Sequence, residues 1–352
     1  MIVLFHVRAI PNLQEPDALG MIRWHFGLAV NLFFVLSAFS LAHSTRVEDL
    51  PGYFIKRFFR IAPLFYVALI FYQTIFGAKP VLVTLANATF IFNLIPGLEQ
   101  SGVWAGWTIG VEMLFYLTLP VLLILCKTVR ASLVLTLIAI LVSWVGRALL
   151  EQSSLPKFYS HAALVSNYAY FCMGLLAYRL FQNQTVKVGR IGLISLAIVA
   201  AGLVVPGSVV LAPGRPDSLV FGLGFAGICL WQAARPSWLM RLQIMQFLGE
   251  RSYSLYVLHP LVIFCLTPLY PSVYATFGGS PWSYVACAAM TLFMLSIVAD
   301  ATYRLIEAPS IRFGRILIER MRNSKSPKET PPLPHERTTL SVPPRLVENP
   351  TL

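Results

Sequence analysis

The sequence has 352 residues, of which 57% are hydrophobic and only 12% are charged, whereas soluble domains carry about 25% charged residues. This composition excludes a soluble globular protein and indicates a helical membrane protein. The net charge of +12 does not favour a nucleic-acid partner, because Lys and Arg lie in short loops between apolar segments, as in cytoplasmic loops of membrane proteins. The five cysteines all lie inside apolar segments, where they predict neither disulfides nor a metal site.

The chain begins with the apolar stretch 1–7, which contains a single ionisable residue, His6. An ionisable side chain at or inside a membrane is costly to bury without a partner, so His6 is a candidate functional residue. Residues 8–24 are polar and predict a loop, and residues 25–44 form the first apolar run of full membrane-crossing length.

Further apolar runs predict membrane-spanning helices, because about 20 apolar residues are needed to cross the hydrocarbon core. These runs are residues 61–78, 80–98, 108–126, 131–146, 158–178, 191–206, 218–234, 252–270 and 282–303. The basic loops 46–60 and 127–130 both favour the cytoplasm. Three of the runs lie between them, and an odd number of crossings cannot return the chain to the same side of the membrane. The run 80–98 contains prolines and asparagines, so we expect it to be re-entrant or to lie at an interface.

The predicted fold is therefore all-α, with about ten transmembrane helices when a short first crossing is included, and with both termini in the cytoplasm. The integral-membrane domain is predicted to comprise residues 1–315. Residues 316–352 are rich in Pro, Ser, Thr and charge. Because such a segment cannot bury enough apolar surface to fold, it predicts a disordered cytoplasmic tail.

Three cations precede the second full apolar run, namely Lys56, Arg57 and Arg60. Arg57 and Arg60 share a face if this segment is helical. Fixed cations at a cytoplasmic interface suit a polyanion such as a nucleotide phosphate, to which arginine bonds in bidentate geometry. The alternative is an ordinary anchor to lipid headgroups.

Glu112 is the one acidic residue between Glu99 and Glu151, and it lies in an apolar run. A carboxylate there needs a partner or a water-filled cavity, and the plainer alternative is a structural tie to an arginine on another helix. The nearby aromatic residues Trp107 and Tyr116 are typical either of a membrane-interface belt or of a platform on which a sugar ring stacks.

His259 lies inside a later apolar run and is followed by proline, which frees a backbone carbonyl. The residue is interpreted either as a buried histidine that hydrogen-bonds across helices or as a participant in chemistry. The sequence leaves both interpretations open.

Arg304 and Glu307 lie one helical turn apart near the end of the last apolar run. The simplest expectation is a salt bridge between them at the helix terminus. Pro309 is expected to stop the helix.

Taken in order along the chain, these stretches resemble the motifs of the acyltransferase-3 family of bacterial integral-membrane acyltransferases, over residues 1–315. The matching stretches are the histidine at position 6, FFVLSAF at 33–39, RFFR at 57–60, WTIGVEMLFY at 107–116, LGERSYSLYVLHP at 248–260 and YRLIEAP at 303–309. Each motif is degenerate alone, whereas the full set in this order is specific.

The resemblance implies a multi-pass enzyme of the bacterial inner membrane. Such enzymes move an acyl group, usually acetyl, from cytoplasmic acyl-CoA to a hydroxyl on an extracytoplasmic O-antigen, exopolysaccharide or other glycan. The implied partners are acyl-CoA, with acetyl-CoA as the expected donor, a glycan or other hydroxyl acceptor, and membrane lipid. Neither a metal nor a nucleic acid is implied.

The resemblance also implies roles for individual residues. His6 takes the catalytic role of the first-helix histidine, and Glu112 belongs to the catalytic or acceptor side. The residues implied at the acyl-CoA end are Lys56, Arg57 and Arg60. The candidates for substrate binding are Trp107, Tyr116 and His259.

Two positions depart from the family pattern. The first helix of the family normally carries an Arg or Lys eleven positions before the catalytic histidine, and this sequence begins five residues before His6. We expect either an in-frame upstream extension that supplies this residue or a truncated and impaired member. The pair Ser37-Ala38 also stands where Ser-Gly is usual.

A histidine, with a pKa of roughly 6.5, suits the removal of a proton from an alcohol that attacks a thioester. We therefore hypothesise that His6 acts as a general base or forms a transient acyl-histidine, and that Glu112 orients or polarises it. One alternative is a secondary transporter or flippase for a lipid-linked sugar, with Glu112 and His259 as coupling groups. Another is a degenerate, non-catalytic family member.

Overall fold

The computed structural model of the protein describes residues 1–11, 13, 20–45, 49–183, 188–204 and 216–325. Within these ranges the regular structure is helical throughout, which confirms the all-α prediction. The α-helices are α1 (Ile2–Ala9), α2 (Met21–His25), α3 (Ala29–Ser44), α4 (Leu50–Phe76), α5 (Val81–Ala88), α6 (Trp107–Leu125), α7 (Val129–Gln152), α8 (Lys157–Ala162), α9 (Leu164–Gln182), α10 (Val188–Val204), α11 (Pro216–Ala234), α12 (Trp238–Arg241), α13 (Gln243–Glu250), α14 (Ser252–Leu266), α15 (Tyr270–Thr276), α16 (Pro281–Thr302) and α17 (Ala308–Lys325). Short 3₁₀ helices span Phe26–Leu28, Phe92–Leu94 and Thr267–Leu269, and a π-helix spans Tyr303–Glu307.

Six helical segments of the described chain are long and apolar enough to cross a membrane. They are Phe26–Ser44, Leu50–Phe76, Trp107–Leu125, Val129–Gln152, Ser252–Thr276 and Pro281–Ser324. Two shorter apolar helices, Val188–Leu203 and Ser218–Ala234, accompany them. The expected number of about ten crossings and the cytoplasmic position of both termini stay predictions.

The run 80–98 does not form a spanning helix. It contains the eight-residue α5, which is only about 12 Å long at 1.5 Å per residue, and the 3₁₀ turn Phe92–Leu94. The C-terminus of α4 and the loop before α6 meet at one end of the bundle, where the rings of Phe76 and Trp104 are stacked 4.9 Å apart. The chain between them therefore starts and finishes at the same end.

The helices form two packed groups with α3 and α6 at their junction. In one group α9 packs against α7, α11 and α3, and α10 packs against α11. In the other, α4 packs against α17 and α14, and α1 packs against α14 and α16. We call the end that contains Ser44 and Arg57 the basic end, and the end that contains Val30, Trp104 and Trp107 the aromatic end.

The contact between α3 and α9 depends on a glycine. A Cβ atom at Gly174 would overlap the carbonyl oxygen of Val35 and would touch the Ala38 Cβ at 3.0 Å. The two backbones approach closely because position 174 has no side chain, as is common between membrane helices. This approach fixes the helix that carries Ser37.

The predicted helix end at Pro309 is wrong. The π-helix Tyr303–Glu307 precedes Pro309, and α17 continues to Lys325, because the wider π-turn accommodates a proline that has no N–H to donate. The predicted Arg304–Glu307 salt bridge is also absent: Arg304 pairs with Asp300 at 2.8 Å, and the π-turn directs Glu307 into the bundle, where it is buried.

The last helix also crosses the predicted domain boundary between residues 315 and 316. Its residues 316–325 are helical and pack, with the rest of α17, along α4. The remainder of the predicted tail, residues 326–352, lies outside the described residues.

Candidate active site

A cavity at the aromatic end contains His6. It is lined by Ile2, Phe5, His6, Gly27, Val30, Gln100, Trp104, Ala105, Trp107, Phe158, His161 and Tyr256. Its volume of about 390 Å³ lies within the range of small-molecule sites, roughly 300–1,000 Å³. Predominantly aromatic walls with a few polar groups are typical of a site for an organic ligand.

The helix α1 is short, and contacts with two other helices hold it. The Tyr284 hydroxyl of α16 donates to the Leu4 carbonyl oxygen at 2.7 Å. On α14, Nε2 of His259 lies 2.8 Å from Nδ1 of His6, and the two ring centroids are 4.8 Å apart. His6 is therefore fixed between the cavity and a second histidine.

His259 is fully buried and lies behind His6 rather than in the cavity wall. Its position matches the interpretation as a buried histidine bonded across helices, and it gives no support to the predicted contact with substrate. The Nδ1 atom of His259 lies 2.5 Å from the Tyr256 carbonyl oxygen. That carbonyl lacks its usual helical donor because Pro260, four residues later, has no N–H.

Glu112 lies away from His6, in a hydroxyl network between α3 and α6. Its Oε1 accepts hydrogen bonds from Ser37 Oγ at 2.6 Å and from the Tyr116 hydroxyl at 2.5 Å. Among the described residues Glu112 makes no contact with His6, whose ring partner is His259, so the role of Glu112 in orienting or polarising His6 stays a prediction that this geometry does not support. In the part of the chain that the structure describes, the Glu112 carboxylate bonds to these hydroxyls and forms no ion pair with an arginine.

Tyr116 is buried with Glu112 rather than in the aromatic cavity. Its carbonyl oxygen accepts from the Tyr53 hydroxyl at 3.1 Å, which links α6 to the start of α4. Of the predicted substrate-binding residues, only Trp107 lines the aromatic cavity. Tyr116 instead contributes to the polar network that joins three helices.

A second cavity lies at the basic end. It is lined by Ser44, Thr45, Asp49, Tyr53, Lys56, Arg57 and Arg322. Asp49 caps α4 by accepting from the Gly52 amide at 3.1 Å, and it forms an ion pair with Arg322 of α17. The Arg322 guanidinium holds the pKa of the Asp49 carboxyl below its usual value.

The two arginines of the RFFR motif have different surroundings. Arg57 lines the basic cavity, and its buried Nε has no hydrogen-bond partner in the described part of the chain. Arg60 instead pairs with the buried Glu307, whose Oε2 accepts from Ser254 Oγ at 2.7 Å. Arg57 is thus available to a ligand, whereas Arg60 ties α4 to α14 and the π-helix.

The two cavities lie at opposite ends of α3. Val30 lines the aromatic cavity and Ser44 lines the basic one, and at 1.5 Å per residue they are about 21 Å apart. Ser37, halfway between them, bonds to Glu112. The Ser37–Glu112–Tyr116 network therefore separates a cationic cavity from one that contains an imidazole.

Sequence reasoning missed several residues of these cavities. Arg322 lies in the segment interpreted as a disordered tail. The packed face of α17 is formed by Ile311, Gly314 and Ile318, and their spacing of three and four residues is a helical pattern that the sequence already contains. Gln100 and His161 line the aromatic cavity from loops and a short helix. No sequence pattern marks them.

The comparison with protein families identifies the chain. A family model for acyltransferase-3, described as an acyltransferase domain, matches residues 1–300. No curated protein and no solved structure matches the chain. The matched residues include every lining residue of the two cavities except Arg322. Glu307 also lies beyond the matched residues. The chain therefore belongs to the acyltransferase-3 family.

Proposed function

We propose that this membrane acyltransferase moves an acetyl group from acetyl-CoA, bound at the basic end, to a hydroxyl of a glycan, bound in the aromatic cavity. The observation that carries the proposal is the position of His6, a potential base, in a cavity lined by aromatic side chains and separated from a cationic cavity by the length of one helix.

The charges at the basic end support a polyanionic donor. Among the described residues, Lys56, Arg57 and Arg322 line this cavity together with the carboxylate of Asp49. Guanidinium groups bond phosphate in bidentate geometry. The Nε–H of Arg57, which has no acceptor among the described residues, can donate to such a phosphate. The nucleotide phosphates of acyl-CoA supply acceptors of this kind.

The walls of the aromatic cavity support a sugar acceptor. Trp104, Trp107 and Phe158 offer apolar ring faces, and Gln100 and His161 add polar groups. A sugar has an apolar face and a rim of hydroxyls, so it matches this combination of flat apolar area and placed polar groups.

The chemistry requires a base beside the acceptor hydroxyl. We propose that the imidazole of His6 takes the hydroxyl proton while the oxygen attacks the thioester carbonyl carbon. The carbon–oxygen bond forms, the carbon–sulfur bond breaks, and the imidazolium returns the proton to the departing CoA thiolate. A general base of this kind contributes about 10²–10⁴-fold in rate. The thioester would reach His6 past the Ser37–Glu112 network.

The basic end is proposed to face the cytoplasm of a bacterium, which makes the inner membrane the expected location. Arg179 Nε donates to the Cys126 carbonyl oxygen at 2.6 Å, so the C-terminal ends of α6 and α9 are adjacent. An excess of Lys and Arg on one side of a membrane protein favours the cytoplasmic side.

His6→Ala tests the proposed function. In a strain that lacks the protein, the wild type is expected to restore O-acetyl groups on the cell-surface glycan, measured by NMR of the isolated glycan, and His6→Ala is expected to restore none. His43→Ala is the matched control, because His43 is exposed at the other end of α3. Full restoration by His6→Ala would remove His6 from the mechanism.

Measuring acetyl-CoA turnover by the purified protein distinguishes three hypotheses: an acyltransferase, a transporter of a lipid-linked sugar and a non-catalytic family member. Only the enzyme releases CoA in the presence of acceptor-containing membranes. Transport without CoA release would favour the transporter.

A further inference from the structure

The two histidines, His6 and His259, form a chain of hydrogen bonds whose direction is determined at one end. The Tyr256 carbonyl oxygen, 2.5 Å from Nδ1 of His259, can only accept. Nδ1 of His259 therefore carries a proton. In a neutral imidazole the second nitrogen is then an acceptor, so Nε2 of His259 presents a lone pair to His6.

The same reasoning fixes the proton on the next ring. Nδ1 of His6 lies 2.8 Å from the accepting Nε2 of His259, so Nδ1 of His6 donates, and the Ile2 carbonyl is a further acceptor for the His6 ring. This leaves Nε2 of His6 without a proton and with a free lone pair. The nitrogen that a neutral histidine protonates is set by the hydrogen bond that the other nitrogen makes.

We infer that His259 is a positioning residue that holds His6 in the tautomer with the proton on Nδ1 and the lone pair on Nε2. This inference rests on the proposed function of His6 as the base. This series of hydrogen bonds starts at Pro260, whose missing N–H leaves the Tyr256 carbonyl to His259. It ends at the Nε2 lone pair of His6, which accepts the proton of the acceptor hydroxyl.

The pair also stabilises the charge that forms during transfer. When Nε2 of His6 takes the hydroxyl proton, His6 becomes an imidazolium and its Nδ1–H bond to His259 becomes charge-assisted, which roughly doubles the strength of such a bond. The proton returns from Nε2 to the CoA thiolate, and His259 remains neutral throughout. A base that lies within hydrogen-bond distance of the group that orients it, as His6 does with His259, is the arrangement expected at a catalytic site.

Two substitutions of His259 separate this role from simple packing. His259→Gln keeps an acceptor for His6 and a donor for the Tyr256 carbonyl, whereas His259→Phe keeps the ring volume and removes both. We expect His259→Phe to lower kcat about 10–100-fold, the range found when a metal-bound imidazole loses the partner that orients it. KM for acetyl-CoA should not change, and His259→Gln should retain most of the activity.

The assay is transfer of radiolabelled acetyl from acetyl-CoA to isolated cell envelopes, with membrane-inserted protein quantified for each variant. Equal losses in His259→Gln and His259→Phe would overturn the role of the acceptor atom. Full activity of His259→Phe would overturn it as well.

NMR of the wild-type protein with labelled histidine ring nitrogens tests the tautomer without reference to activity. The signal that disappears in His6→Ala is expected to show the proton on Nδ1, and in His259→Phe this signal is expected to shift toward the Nε2-protonated form. A wild-type His6 protonated on Nε2 would contradict the inference alone. Retained activity in His6→Ala would instead contradict the proposed function.

Discussion

At the scale of single residues, neighbouring members of one motif have separate tasks. Arg57 lines the basic cavity, whereas Arg60 compensates the charge of buried Glu307. Removing one partner of a buried ion pair leaves an uncompensated charge, which is strongly destabilising. Loss of activity on substitution of Arg60 is therefore expected to reflect loss of the fold, and of these two arginines Arg57 is the one expected to report on binding of the proposed donor.

Arg322 gives a prediction specific to the last helix. Arg322→Ala removes a cation from the basic cavity and leaves Asp49 there without its partner, facing the phosphates of the proposed donor. We expect KM for acetyl-CoA to rise about two- to fivefold, since exposed ion pairs are worth about 0.2–1 kcal/mol, and kcat to stay the same. Steady-state kinetics with acetyl-CoA measure both.

Arg320→Ala is the matched control for Arg322→Ala, because Arg320 is exposed on the same helix and does not line the cavity. An equal rise in KM in both variants would indicate a general charge effect on the acetyl-CoA concentration near the protein rather than a contact in the cavity.

At the scale of elements, some features were predictable and others were not. The asparagines and prolines of the run 80–98 correctly indicated that it does not cross the bundle, because polar side chains and missing N–H groups disfavour a membrane helix. Pro260 likewise indicated a free carbonyl. In both cases the signal lies within a few residues of the structure that it determines.

The contacts that assemble the site could not be predicted in the same way. His6 meets His259 across 253 positions of sequence, and Glu307 meets Arg60 because a π-turn rotates it away from Arg304. Periodicity assigns a residue to a face of its own helix but does not identify the helix opposite. The family resemblance supplied candidate residues for the site, and the packing of α1 against α14 supplied the pairing.

Gly174 gives a prediction for the α3–α9 contact. Gly174→Ala places a methyl group against the Val35 carbonyl and the Ala38 side chain, so the helices must separate. We expect a loss of about 1–3 kcal/mol, the usual cost of overpacking, seen as a lower apparent melting temperature of the purified protein in detergent.

Gly249→Ala is the control for Gly174→Ala. An added Cβ at Gly249, also in a helix, meets no atom within 4 Å, so this variant should melt at or above the wild-type temperature. Equal melting temperatures in both variants would show that the close approach of α3 and α9 does not limit stability.

At the scale of the whole molecule, the cavities lie at opposite ends of a bundle of membrane-crossing helices. The cations of the basic end belong to α4 and α17, and the aromatic groups of the other end belong to α1, α6, α8, α14 and the loop before α6. This separation has a functional consequence. Donor and acceptor are expected to approach the protein from different sides of the membrane.

Sealed membrane vesicles of known orientation show from which side of the membrane the donor and the acceptor approach. In inside-out vesicles, acetyl-CoA added outside reaches the basic end, so radiolabelled acetyl is expected to appear on glycan inside the vesicle and to stay protected from added esterase. Right-side-out vesicles should transfer none until they are permeabilised, and His6→Ala vesicles should transfer none in either orientation. Equal transfer in both intact orientations would contradict approach from different sides, and transfer by His6→Ala would contradict the role of His6 as the base.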